Sequence, residues 1–224
     1  MTTHSLPETR LGRLPIFPLP DVQLFPGAVL PLHVFEDRYV QLVKDVLQTD
    51  DKCLGVPTLK PGYESSYADN PAVYPVMGAG DILAAEERSD GRWNVLIRGV
   101  SRVRLVEELP LSELYRQIRV ECLQETDVEP GHPLDKRLRS LIIQIAEHAE
   151  GAREALHLIV GQADTPSMLT NLLGAHACSD ASLRRALLEC LDVQTRLSMA
   201  CQHAGRLLLE LLEPPDGGGR DTLH

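Results

Sequence analysis

Three residue pairs have the side-chain types and the spacing that could ligate a metal ion. One pair is a histidine with a glutamate three positions later, and two combine a histidine with a cysteine two positions away. They are His33 with Glu36, His176 with Cys178, and Cys201 with His203. A structural zinc site needs four ligands in recognisable spacings, and none of these pairs is extended in that way. The sequence therefore predicts no metal site, and these side chains are expected in the core or on the surface.

Motifs that bind nucleotides or carry a catalytic nucleophile are also missing. None of the four lysines precedes a serine or threonine, so the chain has no GxxxxGK[ST] phosphate-binding loop. The pair Gly78 and Gly80 is too short for a dinucleotide-binding loop. GxSxG, the nucleophile elbow of many hydrolases, does not occur. We therefore expect no catalytic residue, no cofactor and no enzymatic activity.

The composition limits the partners of the chain. Its 224 residues carry a formal charge of -10, which disfavours nucleic acid and anionic membranes because both attract surfaces rich in lysine and arginine. Basic or apolar polypeptide segments remain suitable partners. The sequence has no apolar run of about 18 residues, no secretory signal at its start, and five cysteines without a CxxC. These features predict a cytoplasmic protein without a membrane span, whose cysteines are small buried hydrophobes.

The first half of the chain is organised around the stretch from Leu14 to Val40, LPIFPLPDVQLFPGAVLPLHVFEDRYV. Its five prolines exclude a regular helix and a central strand, because proline fixes φ and lacks a backbone donor. We expect an extended, kinked chain that lies over a sheet, with a tight turn at Gly27. Ion pairing within Glu36 to Arg38 could hold the turn before a helix over 37–47. The side chains expected to be buried are Ile16, Phe17, Leu19, Leu24, Phe25, Leu30, Leu32, Val34 and Phe35.

Short apolar runs separated by turn signals predict a mainly antiparallel sheet or a small barrel. Strands are expected at 53–56, 76–87, 93–105 and 117–122. Gly78 and Gly80 indicate a bulge or a close backbone approach within the second of these strands.

Between the strands, the segment from Pro61 to Pro75 has the composition of a loop, either functional or a tolerated insertion. Five arginines fall on or beside the later strands. We interpret them as a solvated sheet face interleaved with glutamates rather than as a basic stripe. They are Arg98, Arg102, Arg104, Arg116 and Arg119.

The composition shifts near residues 125–133, and the rest of the chain has the apolar period of helices. Helix starts are predicted at Thr165-Pro166, at Ser179 or Asp180, and at Asp192. Leu197 is expected in the seam of the last helix. The sequence thus predicts a β-rich part over 1–129, a helical bundle over 130–213 and a disordered tail over 214–224.

Four blocks of this sequence recur together in one known family. They are LPIFPLPDVQLFPG with LPLHVFEDRY, then VMGAGDIL, then DGRWNVLIRGVSRVRL with a Gly-x-x-Arg at Gly99 and Arg102, and finally LLECLDVQTRL. In these blocks the chain resembles the amino-terminal, PUA-like substrate-binding domain of Lon proteases. Thr170 and Asn171 stand where that family often has Ala-Asp. The resemblance implies an α+β fold, a mainly antiparallel β pseudo-barrel followed by an all-α helical bundle.

The resemblance also implies polypeptide recognition. In full Lon proteases an ATPase and a Ser-Lys protease follow this domain, whereas this sequence ends at His224. We therefore expect a stand-alone, non-catalytic module, an adaptor in protein quality control, that captures unfolded or degron-bearing polypeptide. The expected surface is a groove between the β-rich part and the first helices, with the 61–75 loop at its edge. The candidate contact residues are Phe25, Pro26, His33, Phe35, Tyr63 and Tyr67.

Two alternatives stay open. One is a regulatory protein that binds a small molecule or a nucleotide in the same groove. The other is an RNA-binding PUA-like module, which the acidic charge disfavours. The sequence does not determine the oligomeric state.

Overall fold

An antiparallel sheet that closes on itself forms the first half of the molecule. The computed structural model describes residue 6 and residues 8–212, apart from the side chains at 66, 68 and 69; the predicted tail over 214–224 lies outside them. The strands are β1 (Leu14–Pro15), β2 (Val29–Val34), β3 (Cys53–Val56), β4 (Val76–Glu87), β5 (Trp93–Glu108) and β6 (Gln117–Cys122). They are arranged in the order β1-β6-β5-β4-β3, with β2 beside β5.

A bridge between Ile16 and Gly55 closes the sheet. The N–H of Phe17 donates to the carbonyl of Gly55 at 2.8 Å, which ties the chain after β1 to β3 at the other end of the strand order. The predicted pseudo-barrel is confirmed, as is the α+β class.

The long strand β5 pairs with β2, β4 and β6. The pairing with β2 ends just before Gly99, and the pairing with β6 begins after it. β2 pairs with Trp93–Arg98, β6 pairs with Val103–Glu108, and β4 follows the opposite edge. In the gap between β2 and β6, the N–H of Gly99 donates to Ala28 at 2.9 Å and its carbonyl accepts from Gly27 at 2.8 Å. A side chain at Gly99 would overlap the carbonyl oxygen of Phe25. Gly27 has φ +84°, so the predicted tight turn is confirmed.

The glycines of β4 have both of the roles that the sequence predicted. The register between β4 and β5 shifts between Ala79 and Gly80, which is a bulge. A Cβ at Gly78 would overlap the backbone oxygen of Leu24. The chain that carries Leu24 can therefore cross the sheet closely only because glycine is present.

The proline-rich stretch is mostly, but not wholly, buried as predicted. Phe17, Leu24, Phe25 and Val34 have 5% or less of their surface exposed. Phe35, which was also predicted to be buried, is 61% exposed, so that expectation is wrong. β2 contains Pro31 and is paired with β5 alone among the named strands, in agreement with the restriction of proline to sheet edges.

Helices α1 (Glu8–Gly12) and α2 (Asp37–Leu47) lie within the β-rich first half of the chain. The second half is formed by helices α3 (Pro133–His148), α4 (Arg153–Gln162), α5 (Pro166–His176), α6 (Ala181–Glu189) and α7 (Val193–Leu212). 3₁₀ turns lie at Tyr63–Asp69 and Glu150–Ala152. Within the described residues, none of them is long and apolar enough to cross a membrane. Helix α1 was not predicted from the sequence.

Side-chain caps start the last three helices where the sequence predicted them. Thr165 accepts a hydrogen bond from the N–H of Met168 at 3.1 Å. Asp180 accepts from two N–H groups of α6, and Asp192 accepts from Thr195 at 2.7 Å. These contacts satisfy N–H groups that the first turn of a helix leaves unpaired.

The sheet and the helices share a core. Phe25 and Ala28 belong to the same buried cluster as Leu138, Leu169 and Leu197 of the helices. A parallel bridge between Thr126 and Asp192 also ties the segment after β6 to the start of α7. The residues around the predicted boundary near 125–133 are therefore joined to the bundle.

Candidate functional site

Four of the six predicted contact residues lie around the turn that connects β2 to α2. We call them the aromatic surface: His33, Phe35, Tyr63 and Tyr67. The rings of His33 and Phe35 are 6.3 Å apart, and those of Tyr63 and Tyr67 are 6.2 Å apart. His33 and Phe35 are exposed, and the two tyrosines, on the 3₁₀ turn of the 61–75 loop, are half-buried.

Glu36 joins the two pairs of rings. It follows Phe35 in the chain, and its carboxylate accepts from the hydroxyl of Tyr67 at 2.7 Å. The same carboxylate accepts from Arg38 Nη2 at 2.8 Å and from Nε at 3.0 Å. The ion pair that the sequence suggested for this turn is thus present, and it also holds the 3₁₀ turn of the loop. Partial burial and the bond to Glu36 raise the pKa of Tyr67, so its hydroxyl stays a donor at neutral pH.

Arg38 anchors the aromatic surface to the core. Its guanidinium lies 4.8 Å from the ring centroids of both Tyr39 and Tyr67. Tyr39 is buried and stacks on Phe17, with the centroids 4.1 Å apart. The position of Tyr67 is therefore fixed from two sides, by stacking and by a hydrogen bond, before any ligand arrives.

A second anchor holds the other end of the same loop. Arg116, 6% exposed, donates to the carbonyl of Pro71 at 2.8 Å and pairs with Glu108. Arg116 was expected on a solvated sheet face, and that expectation is wrong. Burial of a guanidinium is tolerable here because it is hydrogen-bonded and paired.

Phe25 and Pro26 lie apart from the aromatic surface, at the junction between the sheet and the helices. Phe25 is fully buried and packs against Gly174, where a Cβ would come within 2.7 Å of its ring. The carbonyl of Pro26 accepts from Asn171 Nδ2 at 3.1 Å. A side chain with no exposed surface cannot contact a partner in this structure, so we drop Phe25 from the candidate surface. Pro26 is half-buried and lies apart from the aromatic surface, and its role in binding stays a prediction.

The junction is held by a charge network that was not predicted from the sequence. We call it the junction network: Arg102, Glu125, Ser167, Asn171 and Arg196. The expectation that Arg102 lies on a solvated sheet face is wrong, since Arg102 is 2% exposed. Arg102 of β5 pairs with Glu125 and donates to Asn171 at 2.7 Å. Arg196 of α7 donates to both oxygens of Glu125, at 2.9 and 3.1 Å, and Ser167 donates to Glu125 at 2.6 Å.

The electrostatics of this network centre on one carboxylate between two guanidiniums. Arg102 and Arg196 are 2% and 0% exposed. Burial alone would raise the pKa of Glu125, but the hydrogen bond from Arg196 and the charge of Arg102 lower it to about 2. Burial and the charge of Arg196 lower the pKa of Arg102. The network is structural: it joins β5 to α5 and α7 through two buried guanidiniums and the carboxylate of Glu125, whose side chain is 23% exposed.

Comparison with known proteins places the chain in a family. The family model of the ATP-dependent protease La (LON) substrate-binding domain matches residues 13–205. The chain belongs to this family. The match contains both the aromatic surface and the junction network, and the matched family is the substrate-binding domain rather than the ATPase or the protease.

Full-length Lon proteases are similar over most of this Lon substrate-binding domain. The Lon protease of Rhizobium meliloti (strain 1021) is 24% identical over 206 residues, and Lon protease 2 of Myxococcus xanthus is 29% identical over 208 residues. Each match covers 89% of this chain but only 25% and 23% of the relative. The chain therefore spans about a quarter of the length of the curated relatives it matches.

Solved structures show the same fold. The N-terminal domain of a Mycobacterium avium complex Lon protease superposes with a TM-score of 0.70 at 18% identity, covering 86% of this chain and 98% of that one. A Lon N-terminal domain protein from Xanthomonas campestris gives 0.60 at 24% identity, covering 83% and 95%.

Two arginines of the junction network lie in sequence motifs that were interpreted only as evidence for the family. Arg102 closes the Gly-x-x-Arg motif, and Arg196 lies in the LLE-x-x-DV-x-x-RL motif. Thr170 and Asn171, where the sequence departs from the family pattern, both accept hydrogen bonds from these arginines. The position of Arg102 and Arg196 within apolar motifs of this Lon substrate-binding domain was the signal that could have indicated their burial. Glu125 lay in the segment interpreted as a domain boundary.

The remaining arginines of the sheet agree with the sequence interpretation. Arg98, Arg104 and Arg119 are exposed. Their guanidiniums pair with Asp81 at 3.8 Å, Glu121 at 2.8 Å and Glu107 at 2.5 Å, in that order. These pairs form a solvated, locally neutral face.

Proposed function

We propose that this Lon substrate-binding domain recognises unfolded or degron-bearing polypeptide through the aromatic surface, without altering covalent bonds. The observation that carries the proposal is Phe35, a large apolar side chain that is 61% exposed within an ordered turn. Exposed aromatic side chains grouped on one face mark contact sites for other molecules. The family supports a substrate-recognition role in general terms.

The second observation that supports the proposal is that Tyr67 is held in place before a partner binds. Arg38 and Glu36 fix Tyr67, so a partner need not order this side chain on binding. Phe35 offers apolar area, while His33 and the two tyrosines combine an apolar ring with a polar end. Such residues bind apolar segments and still accommodate the polar backbone that accompanies them.

The charge around the surface favours apolar or basic segments over nucleic acid. The carboxylates of Glu36 and Asp37 lie at the turn, and Arg38 beside them is paired with Glu36. The exposed arginines of β5 and β6 are likewise paired. RNA binding would need phosphate-neutralising cations. We therefore propose polypeptide as the partner, and an adaptor role in cytoplasmic protein quality control follows as a part of the same proposal.

The test is direct binding of a permanently unfolded protein. A reduced, carboxymethylated and fluorescently labelled polypeptide is titrated with the domain, and anisotropy gives Kd. The double variant Phe35→Ser, Tyr63→Ser is expected to bind at least about 30-fold more weakly, since central aromatic anchors contribute about 1–2 kcal/mol or more each and therefore at least about 2 kcal/mol together. Leu209→Ser on α7 is the matched control, because Leu209 is 64% exposed but lies in the helical part. Equal Kd values for the double variant and the control would refute the assignment of the surface.

A further inference from the structure

Strand β2 leaves one of its two edges unpaired. Among the strands that the structure describes, β2 pairs with β5 alone, and within the same residues β5 is the one named element with which it has extensive contact. The residues Val29–Val34 therefore present a second row of backbone groups that no strand satisfies. An open edge of this kind is a template for pairing with another chain.

The pairing with β5 shows which backbone groups face this free edge. Opposite residues of antiparallel strands alternate between pairs that exchange hydrogen bonds and pairs that do not. The N–H of Gly99 donates to the carbonyl of Ala28 at 2.9 Å, so Ala28 and every second residue after it are bonded to β5. The residues between them direct their backbone groups away from β5. They are Val29, Pro31 and His33.

Proline at position 31 agrees with this alternation, because a proline that faced β5 would remove a bond of the ladder. The free edge therefore offers the N–H groups of Val29 and His33 as donors and the carbonyls of all three residues as acceptors. Val29 is 40% exposed, and Pro31 and His33 are also exposed, so solvent reaches this edge. Outside the pairing with β5, no backbone or side-chain group of the described residues bonds to these donors and acceptors.

The side chains along β2 are apolar on both faces of the sheet. On the outer face, Pro31 lies opposite Leu96 of β5, and Val29 and Leu96 are 40% and 41% exposed. On the inner face, Leu30 and Leu32 pack against the core but are only half-buried, although both were predicted to be buried. A further strand would cover the exposed remainder of both faces. Since its own side chains alternate between the faces, a run of consecutive apolar residues fits better than an amphipathic strand.

The charges at one end of the edge favour a cation there. Glu86 of β4 lies opposite Asn94, whose Oδ1 is 3.0 Å from His33 Nδ1, so Glu86 and His33 share a row across the sheet. Asp37 lies just beyond His33 in the chain. Both carboxylates are exposed, and the salt bridges found within the described residues leave them without a cation. A lysine or arginine at the His33 end of an apolar run would meet these charges.

A second copy of this chain fits the edge less well than a foreign segment does. A two-fold dimer through β2 would bring in the missing proline donor twice. When the two strands are centred on Pro31, the two Pro31 carbonyls face each other with no N–H between them. A segment without proline supplies an N–H at that position and also pairs with Val29 and His33.

We propose that an extended, proline-free apolar segment of a polypeptide, with a lysine or arginine at its His33 end, adds to the free edge of β2 as a further strand. The inference rests on the proposed polypeptide recognition and adds that the segment is held by its backbone. His33 belongs both to this edge and to the aromatic surface, so the bound chain continues toward Phe35. Because Pro31 interrupts the row of donors, the pairing stays short.

Amide exchange at single residues tests this pairing directly. The probe is a soluble peptide with five consecutive valine and leucine residues between lysines, added at saturation to the full chain and followed by NMR spectroscopy. The N–H groups of Val29 and His33 should exchange rapidly in the free protein and at least about ten-fold more slowly with the peptide. The N–H groups of Leu30 and Leu32, already bonded to β5, should be protected in both states.

Matched variants separate backbone pairing from side-chain contact. The same peptide, N-methylated throughout its apolar run, is more apolar but has no donors there, and it should bind at least about ten-fold more weakly. His33→Pro removes the N–H at the free edge, whereas His33→Ala removes the same ring and keeps the N–H. The proline variant should therefore bind the peptide about five-fold more weakly than the alanine variant, at similar thermal stability. Leu32→Pro, which removes a bond to β5, should instead lower the melting temperature.

The results that would overturn strand addition differ from those that would refute the proposed function. Peptide binding without protection of Val29 and His33 would overturn strand addition alone, as would undiminished binding of the N-methylated peptide or equal affinities of His33→Pro and His33→Ala. Protection of Val29 and His33 that rises with protein concentration in the absence of peptide would show that a second copy occupies the edge, and would also overturn it. Failure of both the peptide and an unfolded protein to bind would refute the proposed function itself.

Discussion

Replacement of Glu125 by glutamine should change both the stability of the protein and its dependence on pH. Glu125 is the only acidic member of the junction network, between two guanidiniums that are 2% and 0% exposed. The pKa of Glu125 falls from the ordinary value of 4.5 to about 2 in the folded protein. Since one pKa unit corresponds to about 1.4 kcal/mol, ionised Glu125 stabilises the fold by about 3 kcal/mol.

The sign follows from the direction of the shift. A carboxylate whose folded pKa is lowered contributes its full stabilisation above pH 4.5 and loses it as the pH falls towards 2. The wild-type protein should therefore lose about 3 kcal/mol of unfolding free energy over this window from Glu125 alone. Glu125→Gln should lack this component. At pH 7 it should be less stable by about 3–5 kcal/mol, because Arg102 and Arg196 are left buried without a counter-charge.

The assay is urea unfolding, followed by circular dichroism at a series of pH values between 7 and 2.5. Glu107→Gln is the matched control: its pair with Arg119 is about half exposed on both sides, so it should change stability by only about 0–1 kcal/mol. If Glu125→Gln and the wild-type protein lose stability in parallel between pH 4.5 and 2.5, the network does not hold Glu125 in its charged form and the reasoning is refuted.

Three further predictions test the packing of the core; two concern substitutions and one concerns the chemical modification of cysteines. Leu197→Asp should abolish cooperative unfolding at neutral pH, because it places an unpaired charge at a fully buried position of α7. Gly99→Ala should lower the melting temperature since its Cβ would overlap the crossing chain, whereas Gly205→Ala, in open space on α7, should raise stability by about 0.5–1 kcal/mol. Burial raises the pKa of Cys53 to about 12, so a thiol reagent should modify half-buried Cys122 in the native protein long before Cys53.

Each of these outcomes can be contradicted. Normal cooperative unfolding of Leu197→Asp, measured by thermal scans, would mean that α7 packs by another face; Leu209→Asp, on an exposed position of the same helix, is the control. Equal melting temperatures of Gly99→Ala and Gly205→Ala would mean that the backbone at Phe25, which crosses Gly99, moves aside at little cost in stability. Simultaneous modification of both cysteines, followed by mass spectrometry, would show that the sheet opens under native conditions.

Local chemistry explains which elements could be predicted from the sequence. Thr165, Asp180 and Asp192 cap helices through contacts within three residues, so the caps and the helix starts were visible. The close backbone approach at Gly78 could also be predicted, because a glycine within an apolar strand usually marks such an approach. The resemblance to the family then added that the strands form a pseudo-barrel and that the helices form a bundle after it.

Long-range contacts explain what the sequence could not predict. Arg196 and Glu125 are 71 residues apart, and nothing in the local pattern of either residue reveals the other. Phe25 and Phe35 were given the same predicted burial and the same predicted role in binding, yet one is fully buried and the other is 61% exposed. The difference arises because Phe25 lies under α5, against Gly174, while Phe35 lies after the last paired residue of β2. Apolar character alone does not distinguish these positions.

Amide hydrogen exchange in the presence of an unfolded polypeptide tests the central claim most directly. Saturating polypeptide is expected to slow exchange at residues 33–38 and 63–69, which carry the aromatic surface, and to leave exchange in α4 unchanged. Slowed exchange confined to the helical part, or no change at 33–38 and 63–69 under conditions where binding is saturated, would contradict it.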